Sequence, residues 1–342
     1  MGWSGSIAES SAVGTSTTFT PGTTTEGAYV VSSFTAPRKG VYRFTLKGSG
    51  GTKYASPGKD WNHCAAGGKG GYTVGYLLME KGQTVYVGAG GTCSAAFVAA
   101  ANGSSLSAIG KTNLYFVAAG GGAGGAAGES KYDSGVMAMV LIGADGGGTS
   151  GAKSNTASFG ASQGYGGTGG TQSAGGTAGG WTDDSAGTGA SGAYGVGGKS
   201  TKSTYDTAVA IGGRGGDGLY GGGSGNAYTD SSYHTYAYSG GGGSSYIKTT
   251  SLTVGSNTYT STTTTGGGAA GNTAGSIVVT YYAAVELPVK FNGTTLEKVI
   301  FNGTEVGGLI FDGIKLFFER MKRRICRWYM WTKMESRSRI PT

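Results

Sequence analysis

Proline, histidine, cysteine and charge are all scarce in this sequence of 342 residues, and each shortage closes off a class of protein. Five prolines exclude a collagen triple helix, which needs proline at about 15–20% and glycine at every third position. Three cysteines, Cys64, Cys93 and Cys326, are an odd number at unrelated spacings and make no disulfide framework. No apolar run reaches the roughly 18 residues that a membrane-spanning helix needs, so no membrane span is expected. The opening MGWSGSIAESSAVG carries no recognisable secretory signal, having neither a basic segment nor an apolar one. Charged residues are 13%, too few for a charge-rich disordered chain. The net charge of +8 is concentrated, with +7 of it in residues 320–342, so no basic footprint for nucleic acid covers the body.

Catalytic chemistry is equally short of parts. His63 and His234 are the two histidines available for base or metal work. A zinc site could be drawn from His63, Cys64 and Cys93, but no C-x-x-C spacing supports it, and a loop or buried thiol is the preferred reading. Asp183, Asp184 and Asp230 are isolated carboxylates without a partner at fixed spacing, against paired acid catalysis. GRGGDG from Gly213 lacks the lysine and the strand–helix context of a phosphate-binding loop. The expectation is a protein that is not an enzyme and holds no cofactor or metal.

What the chain has is glycine: 41 of the 124 residues from Gly120 to Gly243, with no proline among them. Glycine supplies no apolar side chain and loses the most backbone entropy on ordering, so such a tract could be a flexible linker. Short aromatic and aliphatic segments alternate with the runs, however, as at Val136–Ile142 and Tyr194–Val196, and linkers avoid these residues. Extended helices with three residues per turn pack side by side where glycine lets backbones approach. The preferred reading is a layered stack of glycine helices with loops at the ends of the layers.

Strands flank this stretch. Tyr42, Phe44 and Leu46 alternate with Arg43, Thr45 and Lys47, the period of a half-buried antiparallel strand. Further candidates are 28–34, 72–78, 84–88, 114–118, 245–248 and 277–282. The Lys81-Gly82 turn suggests a hairpin between the second and third of these. Residues 1–27 are Ser/Thr/Gly-rich and read as a leader or attachment segment. After Tyr282, Phe291-Asn-Gly-Thr, Phe301-Asn-Gly-Thr and Phe311-Asp-Gly-Ile repeat every ten residues, a small ladder of strands joined by Asn-Gly and Asp-Gly turns.

Five segments in order carry a resemblance: FTAPRKGVYRFTLKGSGG from Phe34, GGKGGYTVGYLLMEKGQTVYVGAGG from Gly67, LYFVAAGGGAGG from Leu114, GGGGSSYI from Gly240 and GSIVVTYY from Gly275. Over about 28–282 the chain resembles the glycine-rich domain family of anaplastic-lymphoma-kinase-type ectodomains and of bacterial and phage surface proteins. That resemblance implies an all-β fold, a jelly-roll-like β-sandwich with an inserted bundle of polyglycine II helices at about 120–243. The glycine layers also resemble, in architecture alone, the tip adhesins of T-even phage tail fibres. The repeat at 283–319 resembles C-terminal modules on tail proteins of phages and prophages of Gram-positive bacteria. The implied function is a tail-associated adhesin that binds a host surface molecule, made in the host cytoplasm and carried on the virion. A structural virion or bacterial cell-surface spacer without its own receptor site is the alternative, and with it an extracellular or cell-surface location.

The candidate contact residues lie between glycine runs. NAYTDSSYHTYAYS from Asn226 places Tyr228, Tyr233, His234, Tyr236 and Tyr238 among small polar residues, a mixture similar to an antibody paratope. Trp181 and Trp61 are second-rank candidates. A host glycan or surface protein is the expected partner, alongside other tail or fibre proteins. The competing reading is that the tyrosines fill gaps between glycine layers. The basic tail 320–342 reads either as a binder of anionic surfaces or nucleic acid or, preferably, as an out-of-frame or read-through extension that is dispensable.

Overall fold

The computed structural model describes residues 2–285 except 56–60, 130–137, 160–161, 182–188, 231 and 233; beyond 285 it describes six two-residue strands. The chain divides into two units, 1–284 and 285–342. Among the described residues the protein is nearly all β, with two single turns of 3-10 helix and no α-helix.

Two antiparallel sheets form a sandwich-like core in the first unit. One runs Gly2–Ser4, Ser16–Thr20, Ser276–Ala284, Gly40–Lys47, Tyr72–Met79, Thr262–Thr264; the other runs Tyr246–Ile247, Leu114–Ala118, Ala96–Ala99, Thr84–Gly90, Tyr29–Thr35. Tyr42, Phe44 and Leu46 are fully buried, as their alternation with polar residues dictates. They join Phe34, Val85, Val87 and Phe116 from the other sheet in one apolar cluster. Phe44 meets Phe116 with ring centroids 6.2 Å apart.

Two expectations change. Residues 1–27 are not a separate leader, because Ser16–Thr20 pairs with Ser276–Ala284 and buries Phe19. Its sequence, STTFT, hides the alternation by placing Thr17 rather than an apolar residue on the inner face. The Lys81-Gly82 turn does not close a hairpin either. Tyr72–Met79 belongs to the six-stranded sheet and Thr84–Gly90 to the five-stranded one, so the turn hands the chain from one layer to the other. Gly82, with φ of 82°, donates its N–H to the Ala36 carbonyl at that crossing.

Glycine segments leave the sandwich directly from its strands, and their backbone hydrogen bonds repeat every three residues. Gly120 and Ala123 donate to Asp217 and Arg214, Gly121 and Gly124 to Ser49 and Thr52, and Gly122 and Gly125 to Ala144 and Leu141, at 2.8–3.0 Å. A period of three belongs neither to an α-helix nor to a strand. The segment 238–245 is enclosed by six stretches of chain. Gly240 and Gly243 donate to Ala123 and Gly120, Gly241 and Ser244 to Gly223 and Tyr220, and Gly242 and Ser245 to Ala152 and Gly148. Its carbonyls from Tyr238 to Ser244 accept in rotation from 213–219, 167–170 and 144–147.

Close approach is what requires glycine here. A methyl group on Gly241 would collide with the Thr168 carbonyl and one on Gly242 with that of Asp145, while neither glycine has a positive φ. Where neighbouring backbone runs out, side-chain oxygens take over the N–H groups. Thr168 Oγ1 accepts from Thr177 N at 2.7 Å, Ser224 Oγ from Ala190 N at 2.8 Å and Asp145 Oδ1 from Lys69 N at 2.7 Å. The interspersed serines and threonines are therefore edges of the network as well as loops. The network is also wider than 120–243, since 48–52, 65–71 and 268–272 take part in it.

A buried ion pair joins network to sandwich. The Asp217 carboxylate accepts from Arg214 Nη2 at 2.8 Å, from the Tyr29 hydroxyl at 2.9 Å and from Gly197 N at 2.8 Å. Burial opposes the charge on Arg214, and Asp217 together with Cys93, Glu26 and Tyr29 more than offsets it, holding the guanidinium pKa above its ordinary value.

The second unit shows three separate hairpins. Lys290–Phe291 pairs with Thr294–Thr295, Ile300–Phe301 with Thr304–Glu305, and Phe311–Asp312 with Lys315–Leu316. Asn-Gly lies between the paired residues in the first two. In the third, Asp312 is itself paired, so the residues between are Gly313 and Ile314 instead of an Asp-Gly turn. The tail 320–342 lies outside the described residues.

Candidate functional site

The glycine segments run between two ends, one at the sandwich and one at a cap of three small sheets. Segments 48–52 and 119–125 leave sandwich strands, and 119–125 continues into Ala126–Glu129; 65–71 and 238–245 return from Trp61–Cys64 and Thr235–Ala237 into sandwich strands. The cap sheets are Thr201–Tyr205, Ala208–Gly212, Ala126–Glu129, Trp61–Cys64; then Ala138–Val140, Thr235–Ala237, Ala227–Thr229; and Thr156–Phe159, Ser162–Tyr165, Gly180–Trp181. The first two pack through small residues, Ala127 and Ala210 against Ala227 and Ala237, with Val140 at the edge.

The predicted 226–239 loop is a hairpin. Ala227–Thr229 pairs with Thr235–Ala237, which places Tyr228 opposite Tyr236, their rings stacked at 6.0 Å. Asp230 organises the tip: Oδ1 accepts from the backbone N–H of Ser232 and of His234, both at 2.9 Å, and Oδ2 lies 2.7 Å from His234 Nδ1. An aspartate bonding the backbone two residues on is turn chemistry, and the histidine ring locks it.

Two of the predicted contact residues are packing residues in this structure. Tyr236 is 3% and Tyr238 1% exposed. The Tyr238 ring lies so close over Gly164 of the third sheet that a methyl group there would collide with it. Burial pushes the phenol pKa up at both tyrosines, with Asp230 adding to it at Tyr236 and Tyr236 at Tyr238. An aromatic facing glycine fills space that no other side chain reaches, which the 226–239 composition does not reveal. Tyr228 and His234 remain half-buried at the surface. Tyr233 lies outside the described residues. Trp61 is placed opposite Glu129 and Trp181 opposite Gly164, so both belong to cap strands.

The cap adds residues that the sequence reading missed. Tyr205 is 41% and Tyr165 39% exposed. Ser203 Oγ meets Thr229 Oγ1 at 2.8 Å and Thr201 Oγ1 donates to the Gly225 carbonyl at 3.0 Å, so alternate residues of Thr201–Tyr205 face the 227–229 strand. Tyr205 is the next in that row, at the Asp206-Thr207 turn. The alternation Thr201, Ser203, Tyr205 is visible in the sequence but is polar and gives little signal. Segments 130–137 and 182–188, which join cap strands along the chain, lie outside the described residues.

Among the described residues, His63, Cys64 and Cys93 do not form a metal-ligating group. His63 and Cys64 are successive strand residues, whose side chains point to opposite faces. Cys93 is buried, its thiol 3.5 Å from Glu26 Oε1. Burial, with Glu26 second, pushes the Cys93 pKa up to about 12. Among the described residues no group of three or more His, Cys, Asp or Glu could hold a metal ion. Since the thiolate is the nucleophile, iodoacetamide at about pH 8 should label Cys64 and spare Cys93 until the protein is unfolded. Peptide mapping would show it, and labelling of native Cys93 would contradict its placement.

The chain matches no protein-family model, and no curated protein matches it.

Proposed function

We propose that the chain is a receptor-binding protein of a phage or prophage tail. In this reading the packed glycine segments are polyglycine II helices inserted in a jelly-roll-like sandwich, and the cap they carry meets the host surface. The period of three in the hydrogen bonds supports the helices. The pairing of Ser16–Thr20 with Ser276–Ala284 supports a sandwich closed by early and late strands. The observation that carries the function is convergence. Trp61, Trp181, Tyr228 and His234 come from separated parts of the chain and lie in the one cap, at the end of the glycine segments away from the sandwich. Glycine helices have no side chains with which to discriminate ligands, so specificity falls to the cap. Exposed Tyr205 and Tyr165 add aromatic surface beside hydroxyl groups, suited to a host glycan or a protein loop.

The test separates surface from packing residues. Replacing Tyr228 and His234 by alanine should lower adsorption to host cells by about thirtyfold or more if either is a hot spot, with little change in melting temperature. Tyr238→Ala should instead destabilise the fold by about 3–5 kcal/mol. Normal adsorption by the double variant would move the protein to the second reading, a virion or cell-surface spacer. The burial of Tyr236 and Tyr238 is the observation that favours that alternative.

A further inference from the structure

The outer face of the six-stranded sheet, turned away from the core, carries a cluster that neither the packing nor the cap uses. Arg43 stands opposite Tyr76 on the neighbouring strand. The rings of Tyr76, Tyr259 and Tyr282 lie 5.1–5.8 Å from one another, and the Arg43 guanidinium sits 5.2 Å over the Tyr282 ring. A bulge produces this arrangement. Tyr281 pairs with Tyr42 and Ala283 with Val41, so Tyr282 is the extra residue between them, and bulges re-aim side chains beside functional sites. Tyr282 is 36% exposed.

The cation is uncompensated. Arg43 has no carboxylate partner among the described residues, and its Nε is buried without a hydrogen bond. The six strands and the flanking Ser251–Thr260 hairpin contain no aspartate or glutamate, while Lys47 adds a second positive charge on the same face. The rest of that face mixes threonine, valine and serine with Tyr72 and Leu78, so hydroxyl groups surround the cluster.

We infer that this face is a second binding surface, independent of the cap, and that its ligand is a sugar acid of a surface polysaccharide. A planar guanidinium matches a carboxylate, and the exposed Tyr282 with the half-buried Tyr76 and Tyr259 beside it matches the apolar side of a sugar ring. Because Arg43 lies directly over Tyr282, both features must sit within one ligand residue. A uronic or sialic acid has them together; a polyol phosphate offers the anion without the ring.

Isothermal titration of the full chain with oligogalacturonate, hyaluronan oligomers and polysialic acid, beside neutral dextran and poly(glycerol phosphate), tests this. At least one of the three acidic sugars should bind, with dextran weaker by about tenfold or more. Arg43→Gln should lose about tenfold or more in affinity for that sugar. Tyr259→Ala, on the flanking hairpin outside the core, should also weaken it, and serves if the arginine variant fails to fold. Failure of all three acidic sugars to bind, equal binding of dextran, tighter binding of poly(glycerol phosphate), or unchanged affinity in the folded variants would overturn the inference.

Discussion

Gly242→Ala should lower the stability of the first unit by about 3 kcal/mol or more and its melting temperature by roughly 5–10 °C. The direction is what makes this informative. At an unconstrained position with negative φ, glycine to alanine stabilises by about 0.4–1 kcal/mol, because it removes freedom from the unfolded chain. At Gly242 the added methyl would meet the backbone carbonyl of Asp145, and a backbone held by hydrogen bonds on several sides cannot retreat. Gly241, against Thr168, should behave the same way. Ala174, exposed on the outside of the network, is the control: Ala174→Val should stay within about 0.5 kcal/mol of the parent. Equal effects at Gly242 and Ala174 would mean that the glycine segments are not packed against one another.

Asp217→Ala should be comparably damaging, by about 3–5 kcal/mol, because it leaves the Arg214 guanidinium buried without its counter-charge. Three donors lose their acceptor together: Arg214 Nη2, the Tyr29 hydroxyl and Gly197 N. Replacing both ionic partners, as Arg214→Met with Asp217→Leu, should recover a large part of the loss, since the costly element is the orphaned charge and not the absence of a bridge. Urea unfolding of the two variants measures this directly. A double variant less stable than Asp217→Ala would show instead that the pair contributes net attraction across the junction.

The sandwich was the legible part of the chain. Gly40–Lys47 shows a period of two from Tyr42 onward because Tyr42, Phe44 and Leu46 face the core in succession, and Ser276–Ala284 reads similarly through Ile277, Val279 and Tyr281. Ala96–Ala99 escaped notice because it is buried on both faces and does not alternate. Ser16–Thr20 escaped because threonine stands where an apolar residue would mark a strand, and Gly2–Ser4 because three residues, Gly-Trp-Ser, are too few to show a period. The order of the glycine runs could be expected from the aromatics between them, but not their partners. Which run touches which is decided by backbone groups that look alike at every glycine.

The candidate site was legible as a region but only partly as a surface. Composition located the 226–239 hairpin and the tryptophan segments, which the fold gathers into the cap. It could not separate Tyr228, at the surface, from Tyr238, which is buried over Gly164 because that glycine leaves room for a ring. Tyr205 was passed over since its hairpin is polar throughout. Arg43 was read as the solvent side of a strand, and only the position of Tyr282 at a bulge gives it an aromatic neighbour.

Amide hydrogen exchange, resolved by peptide across residues 119–125 and 238–245, tests the ordered glycine network most directly. Every N–H from Gly240 to Ser245 donates to another stretch of the chain, so these amides should exchange as slowly as those of the Gly40–Lys47 strand, opening only with the unit as a whole. Exchange at the rate of an unfolded chain in the glycine segments, with the sandwich strands still protected, would contradict the account.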